Sequence, residues 1–433
     1  MLNQGVLSPK IPRFKSGRET DFSDGLKPAW AKDLKSMEKQ HRMNKKYREK
    51  EKARKKKKRK GFHIAFGIFS GIAIFITLLG LAFILVYKSG QAKLKQSAEG
   101  KAPVGSFLTD AEKEQIAREK AGLTALQWED NWVVIEDKIY AYDEECVNLL
   151  FLGIDRPGDI GEETDFDNWE AGQTDAIFMV SLNPSQKSVS IIGIPRNSMV
   201  NVDIYDEENH KIDTVFDQIC LQYAFAGGGQ PGLDKVEESV ETLLYGLPVH
   251  GAFAVGYDAV GIINDMAGGV DVEVLETFET SRQKFVEGET LHLDGDMALS
   301  YVRGRNFGQV GSPTLRLQRQ KQYLVALIDK VRGKVKENPM LVKDMYGAVS
   351  SYMNTDVTLE EVVYLAAESV DYRFGDGSFY LLQGEDRAVE IPEEERNRKN
   401  EAEPFYDDYY LDEESIKEIM LEVFYEEVVL GEE

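Results

Sequence analysis

Val147-Asn148-Leu149-Leu150-Phe151-Leu152-Gly153-Ile154 is a nearly unbroken apolar run that stops at Asp155-Arg156. A strand covered on both faces reads this way, whereas a half-solvated strand alternates apolar with polar residues. The same pattern returns at Ala176 to Leu182 and at Ser188 to Ile194. The turn residues Asn183-Pro184-Ser185 separate these two runs, and Pro195-Arg196 closes the second. Charged residues therefore gather where buried strands end.

Downstream the period changes. Leu233 to Tyr245 carries apolar residues at helical spacing and stops at Gly246. Ala252 to Val255 reads as a short strand, Asp258 to Met266 as a helix broken by Gly268-Gly269, and Val270 to Val274 as a strand. Gly295 to Ser300 reads as a short helix, Leu317 to Val335 as a long one, and Ser415 to Phe424 as the last. Glu393 to Asp408 between them reads as an acidic loop. Upstream, Thr109 to Ala125 has helical character with a capping box formed by Thr109 and Glu112, and Trp132 to Tyr142 reads as a hairpin. Strands alternating with helices predict an α/β sandwich, three layers with a central mixed sheet.

Charge is distributed unevenly. Residues 1–61 hold 21 Lys+Arg against 7 Asp+Glu. Of the 52 basic and 75 acidic residues in all, this leaves 52−21 = 31 against 75−7 = 68 for the remainder, a net of −37. Ile64 to Tyr87 contains no charged residue over 24 positions, which as a helix spans roughly 36 Å, enough to cross a bilayer. Arg54-Lys55-Lys56-Lys57-Lys58-Arg59-Lys60 precedes it, and the positive-inside rule puts that flank in the cytoplasm and the acidic body outside. The run is too long and too far from the start for a cleaved signal peptide. The expected organisation is a basic, disordered cytoplasmic tail (1–61), a transmembrane helix (62–88), a linker with a juxtamembrane helix (89–131), an extracellular α/β domain (132–427, core 146–335) and a short tail (428–433). The protein is expected in the cell membrane, single-pass. Gly67 and Gly71 form a GxxxG through which two such helices could form a homodimer. The basic cluster abuts the membrane with no recognition fold beside it, so nucleic acid is not expected as a partner. Cys146 and Cys220 permit a disulfide without requiring one, and five dispersed histidines give no support to a zinc site or a Ser-His-Asp triad.

Against the acidic background, Met297 to Ile328 holds no Asp or Glu, yet it holds Arg303, Arg305, Arg316, Arg319 and Lys321. Guanidinium groups present planar donor forks that match phosphate oxygens. Their ordinary alternative is pairing with surplus carboxylates, and the local exclusion of acids favours an anionic ligand. Asp155, Asp175 and Arg196 sit at the ends of other elements. Two carboxylates for a hard cation and several arginines for phosphate oxygens make up what a metal-assisted pyrophosphate site requires.

In this order the motifs resemble the LytR-CpsA-Psr family of bacterial envelope proteins. The matching residues are Asn148 to Arg156, Thr174-Asp175, Ile194-Pro195-Arg196, Gly268-Gly269-Val270-Asp271-Val272, Leu293 to Leu299, Tyr301-Val302-Arg303-Gly304-Arg305 and Arg316-Leu317-Gln318-Arg319-Gln320. The resemblance is strong over 146–335 and weaker to a closing element at Tyr409 to Glu414. It implies a phosphotransferase moving a glycopolymer from a polyprenyl-pyrophosphate carrier onto peptidoglycan at the membrane. Asp155 and Asp175 would hold Mg²⁺ or Mn²⁺. Arg196, Arg303, Arg305, Arg316, Arg319 and Gln320 would bind the pyrophosphate, Arg319 being also a candidate for supporting the others from behind, with Asp155, Asp175, Arg196 and Arg303 serving catalysis. Val236, Val240, Leu244 and Phe253 are candidates for lining the family's apolar tunnel, or are ordinary core.

The chain departs from the family pattern in two places. Asn197 stands where an acid usually follows Pro-Arg, and residues 306–315 lack the acid that commonly precedes the second arginine pair. The proton acceptor is then Asp155 or Asp175, or the metal lowers the hydroxyl pKa. Restoring the acid through Asn197→Asp is expected to be tolerated. Two other functions use the same residues: a membrane-anchored regulator or scaffold that binds the lipid without transfer, and a hydrolase in which water replaces the sugar.

Overall fold

The computed structural model describes residues 88–90, 92–93, 108–122, 128–135, 137–158, 160, 171–304, 310–391 and 405–429. The basic tail and the uncharged run 64–87 lie outside these. Among the described residues no helix is long and apolar enough to cross a membrane.

The chain enters through helix α1 (Asp110–Gly122), where the Thr109 backbone N–H and hydroxyl both reach Glu112 Oε2 at 2.6 Å, as the capping pattern predicts. Strands β1 (Trp132–Ile135) and β2 (Lys138–Tyr142) form the expected hairpin. Then come β3 (Val147–Ile154), β4 (Thr174–Asn183), β5 (Ser188–Ile194), β6 (Met199–Tyr205), β7 (Lys211–Gln218), α2 (Gly229–Leu243), β8 (Gly251–Gly256), α3 (Tyr257–Ala267), α4 (Gly295–Arg303) and α5 (Ser312–Glu337). The C-terminal part supplies β9 (Met353–Thr355), α6 (Leu359–Ser369), β10 (Phe379–Leu381), β11 (Gly384–Glu390), β12 (Phe405–Leu411), α7 (Glu413–Phe424) and β13 (Tyr425–Glu427), which pairs with β2.

Six of these strands form one mixed sheet in the order β9-β8-β3-β4-β5-β10. Strand β3 is central, parallel to β8 and antiparallel to β4, with Phe151 opposite both Phe253 and Phe178. Its near-continuous apolar sequence follows from this position. Leu150, Leu152 and Ile154 pack on one face with Val236 and Val240 of α2 and with Ile416 and Met420 of α7. Leu149 and Phe253 face the other side, toward Val357 and Leu365 of α6, while Phe178, Ile191 and Phe379 meet Leu317 of α5. Helices thus cover both faces, each fully buried Leu or Ile contributing about 1.5–3 kcal/mol.

One expectation changes, and the structure fills two points that the sequence left open. The β6–β7 hairpin has no counterpart in the sequence reading. The acidic segment expected to be a loop to Asp408 is a strand from Phe405 onward, because Tyr409 and the partly enclosed Asp407 and Asp408 face other parts of the chain. Cys146 and Cys220 are both buried and unbridged.

Four of the strands, β3, β5, β8 and β10, run the same way, and β4 runs against them. The end of β3, the end of β5, the end of β8 and the start of β4 therefore meet at one edge of the sheet, where open α/β folds place ligands. Leu150 is fully enclosed, so Leu150→Ala should lower unfolding stability by about 2–5 kcal/mol. Chemical denaturation should show this as a lower midpoint, and an unchanged midpoint would contradict the assignment of β3 as the core strand.

Candidate functional site

Asp155 follows β3, Asp175 is the second residue of β4, and Arg196 follows β5, so the topology alone gathers them. The Asp155 amide donates to the Gln173 carbonyl at 2.9 Å, which ties the end of β3 to the start of β4. Helix α5 begins at Gly311, whose φ of 77° suits glycine, and Pro313 in its first turn fits the helix start. Arg316, Arg319, Gln320 and Tyr323 follow at helical spacing and are all buried, placing them on the covered face of the helix.

The aspartates and arginines pair with one another. Arg196 Nε lies 3.0 Å from Asp175 Oδ1, and Arg316 Nη1 lies 3.1 Å from Asp175 Oδ2. A single carboxylate is thus gripped by two guanidinium groups from separate parts of the chain. Arg303 pairs with Asp155 Oδ1 while its guanidinium stacks 4.2 Å from the centre of the Tyr257 ring, at the first residue of α3. Arg196 also donates to Gln173 Oε1 and, at 3.0 Å, to the Cys220 sulfur. Burial pushes the Cys220 thiol up, so it remains neutral beside that guanidinium. Tyr257, Gln173 and Cys220 were not among the expected site residues. Tyr257 had a signal, since it directly follows the strand parallel to β3 at the ligand-binding edge.

Arg319 stands elsewhere. Its side chain is 0% exposed, with Nε 3.0 Å from Glu276 Oε1, the terminal nitrogens donating to the carbonyls of Tyr301 and Gly304, and the guanidinium 3.9 Å over the Phe278 ring. Burial lowers its pKa and Glu276 opposes that. Arg319, expected either at the pyrophosphate or in support behind it, thus fastens the end of α4, the helix that carries Arg303. Gln320 is also mostly enclosed. Its Nε2 donates to the Val302 carbonyl at 3.2 Å, and its buried Oε1 has no hydrogen-bond partner among the described residues. Arg305 lies outside the described residues.

Asn197 is 1% exposed. Its Nδ2 donates to the Asp407 carbonyl at 2.7 Å, and its own carbonyl accepts from the Tyr409 amide at 2.9 Å, which seats β12 against the loop after β5. The same hairpin brings Asp407 Oδ2 to the Gly311 amide at 2.8 Å and Asp386 Oδ1 to the Thr314 hydroxyl at 3.2 Å. Burial raises the Asp386 carboxyl above the usual range, opposed by hydrogen bonds from Thr314 and Asn197. An aspartate at 197 would lose the donor to Asp407 and set a second acid beside Asp386. These contacts argue against the expected tolerance of Asn197→Asp.

The tunnel candidates do not share one space. Val236, Val240 and Leu244 are fully buried on the face under α2, whereas Phe253 stacks on Phe151 at 4.7 Å on the opposite face. Among the described residues no three His, Cys, Asp or Glu side chains cluster to hold a metal ion. The two carboxylates at the sheet edge still suit Mg²⁺, which commonly takes one or two protein carboxylates and completes its shell with phosphate oxygens and water.

A model of the LytR_cpsA_psr family matches residues 109–376. A Bacillus subtilis protein named polyisoprenyl-teichoic acid–peptidoglycan teichoic acid transferase TagV is 28% identical over 204 residues, covering 46% of this chain and 46% of the relative. The similarly named TagU of Bacillus cereus is 30% identical over 218 residues, 50% of this chain and 62% of the relative. The chain thus spans about half the length of the curated relatives it matches. Among solved structures, that of B. subtilis TagV has a TM-score of 0.45 and 22% identity, over 64% of this chain and 95% of that one. A structure described as TagT bound to LI-WTA has a TM-score of 0.43 and 22% identity, over 64% and 89%.

Two substitutions test the supporting contacts. Asn197→Asp should cost about 1–3 kcal/mol as a buried hydrogen bond is lost, and Arg319→Ala should cost about 3 kcal/mol or more because Glu276 loses its partner. Thermal unfolding of both variants at the parental midpoint would contradict these roles.

Proposed function

Because the chain belongs to the LytR_cpsA_psr family, we propose that it is a phosphotransferase that moves a glycopolymer from a polyprenyl-pyrophosphate carrier onto peptidoglycan. The observation that carries this reading is the Asp175 carboxylate held between Arg196 and Arg316 at the sheet edge, with the Asp155–Arg303 pair beside it. Two guanidinium groups and one carboxylate leave one net positive charge in that triad, a cradle for phosphate oxygens.

In the proposed reaction the acceptor sugar hydroxyl attacks the phosphorus that bears the polymer. A new oxygen–phosphorus bond forms, the bridging phosphorus–oxygen bond breaks, and the polyprenyl monophosphate leaves. Arg196, Arg316 and Arg303 hold the phosphate oxygens and stabilise the charge on the leaving group. The hydroxyl proton passes to Asp155, through the oxygen that Arg303 does not engage. This carboxylate is 41% exposed against 20% for Asp175, and one arginine engages it rather than two. Each guanidinium that takes a phosphate oxygen gives up a carboxylate, and the carboxylates so released are those that would hold Mg²⁺ or Mn²⁺. A divalent cation there would neutralise charge on the pyrophosphate.

The proposed location follows from the basic cluster before residues 64–87: a single-pass protein with its catalytic domain outside the cell. Protease added to intact wall-stripped cells should remove the acidic body and spare the basic tail, and protection of the body would contradict this orientation.

Product analysis with the full chain in detergent micelles, lipid-pyrophosphate-linked polymer and peptidoglycan tests the chemistry. Transfer to peptidoglycan is expected. Release of free polymer would instead indicate a hydrolase, and binding without product a regulator. Asp155→Asn and Asp175→Asn should lose cation-dependent transfer, since an amide is nearly isosteric yet brings no charge, and Asp175→Asn should also lower unfolding stability because Arg196 and Arg316 lose the carboxylate between them. Undiminished transfer in both variants would rule out these aspartates.

A further inference from the structure

We propose that the groove between the β6–β7 hairpin and α2 is a binding site for a neutral saccharide strand, and that it holds the acceptor glycan. The proposal rests on the transferase reading for the role of that strand, and on the groove itself for its chemistry.

The hairpin springs directly from the site. Strand β6 follows Arg196-Asn197-Ser198, and β7 returns to Cys220, whose amide donates to the Arg196 carbonyl at 3.1 Å, while the Ile219 amide donates to the Ser198 carbonyl at 2.9 Å. A ligand lying along the hairpin therefore leads to the arginine that grips Asp175.

Phe216 is 58% exposed and lines this groove of about 390 Å³. With Tyr410 beside it, this open ring forms an aromatic patch on the rim of a groove, and contiguous apolar surface of this kind marks binding sites. Asn201 lies directly opposite Phe216 in the hairpin register, so an exposed amide stands next to the ring. A ring face that packs against sugar C–H bonds, with an amide to exchange hydrogen bonds with hydroxyl or acetamido groups, is the chemistry of saccharide recognition. Tyr410 of β12 extends the aromatic surface, its ring centre 6.4 Å from that of Phe216.

Charge selects among polymers. Lys235, which lines the groove, pairs with Glu238 at 2.7 Å, and Asp203 of the lining pairs with Lys211 beside it at 2.8 Å. With both cations neutralised, the groove offers a phosphate-rich polymer no positive charge, and a neutral strand meets no penalty. The anionic donor is accordingly directed to the arginines and the neutral acceptor to the hairpin.

Calorimetric titration of the full chain in detergent micelles with chitotetraose, poly(glycerol phosphate) and geranyl diphosphate tests this. Chitotetraose should bind, Phe216→Ala should weaken it at least fivefold, and Phe216→Tyr should restore it, while geranyl diphosphate binds all three proteins alike. Poly(glycerol phosphate) should not compete with chitotetraose. No chitotetraose binding by the parent, equal binding by Phe216→Ala, or displacement by poly(glycerol phosphate) would overturn the proposal. Failure of geranyl diphosphate to bind would count against the transferase reading alone, leaving the saccharide site standing.

Discussion

The site depends on one carboxylate held between two guanidinium groups. Arg196 comes from the end of β5, Arg316 from the first turns of α5, and Asp175 from the start of β4. Like charges on the two arginines would push those elements apart if Asp175 did not stand between them. Arg316 is 5% and Arg196 13% exposed at the side chain, so water screens that repulsion only in part. Hydrogen bonds to charged groups contribute about 1.5–3 kcal/mol each, enough to fix the guanidinium planes before any ligand arrives. Asp175 thus braces the site, and on the proposed function it is also the carboxylate that a ligand would set free.

Around this brace lie groups that take no part in binding and yet decide where the binding groups point. Arg319, fully enclosed, holds the carbonyls of Tyr301 and Gly304 and so fixes the end of α4, while Tyr257 supports the Arg303 guanidinium from below. The β11–β12 hairpin supplies Asp407 to the Gly311 amide, so the start of α5 is capped from the other end of the chain. Its attachment to Asn197 links that cap to the loop carrying Arg196. Such supporting contacts set the precision of a site more than its direct contacts do.

Much of the fold was legible because it rests on long apolar patterns. The run Val147 to Ile154 is a strand with those same limits, and the helix read from Leu317 to Val335 extends to Ser312–Glu337. What escaped was whatever draws its stability from elsewhere. Strand β6 does alternate, with Val200, Val202 and Ile204 against Asn201 and Asp203, but its partner β7 leaves Ile212 and Phe216 open to solvent and carries no comparable apolar face, so the pair does not read as a hairpin. Strand β12 reads as an acidic loop because Asp407 and Asp408 find partners in Gly311 and Gln218, which no local pattern announces. The arginines were visible as a cluster, with Arg319 already a candidate for support behind the others, but their partners, Asp175 for Arg316 and Glu276 for Arg319, come from distant sequence. The acids absent from Met297 to Ile328 prove to be supplied from distant sequence, so on the proposed function ion pairing and ligand binding would be successive states of the same arginines.

That succession makes the central claim measurable. If the arginines and aspartates must part before phosphate and cation are bound, each ligand removes the obstacle to the other and their affinities are coupled reciprocally. Calorimetric titration of the full chain in micelles with geranyl diphosphate, with and without Mn²⁺, and the reverse, reads this directly. The account predicts that each ligand tightens the other by at least tenfold, about 1.4 kcal/mol, and that Asp175→Asn abolishes the coupling while geranyl diphosphate still binds. Affinities that are independent of the second ligand would contradict it.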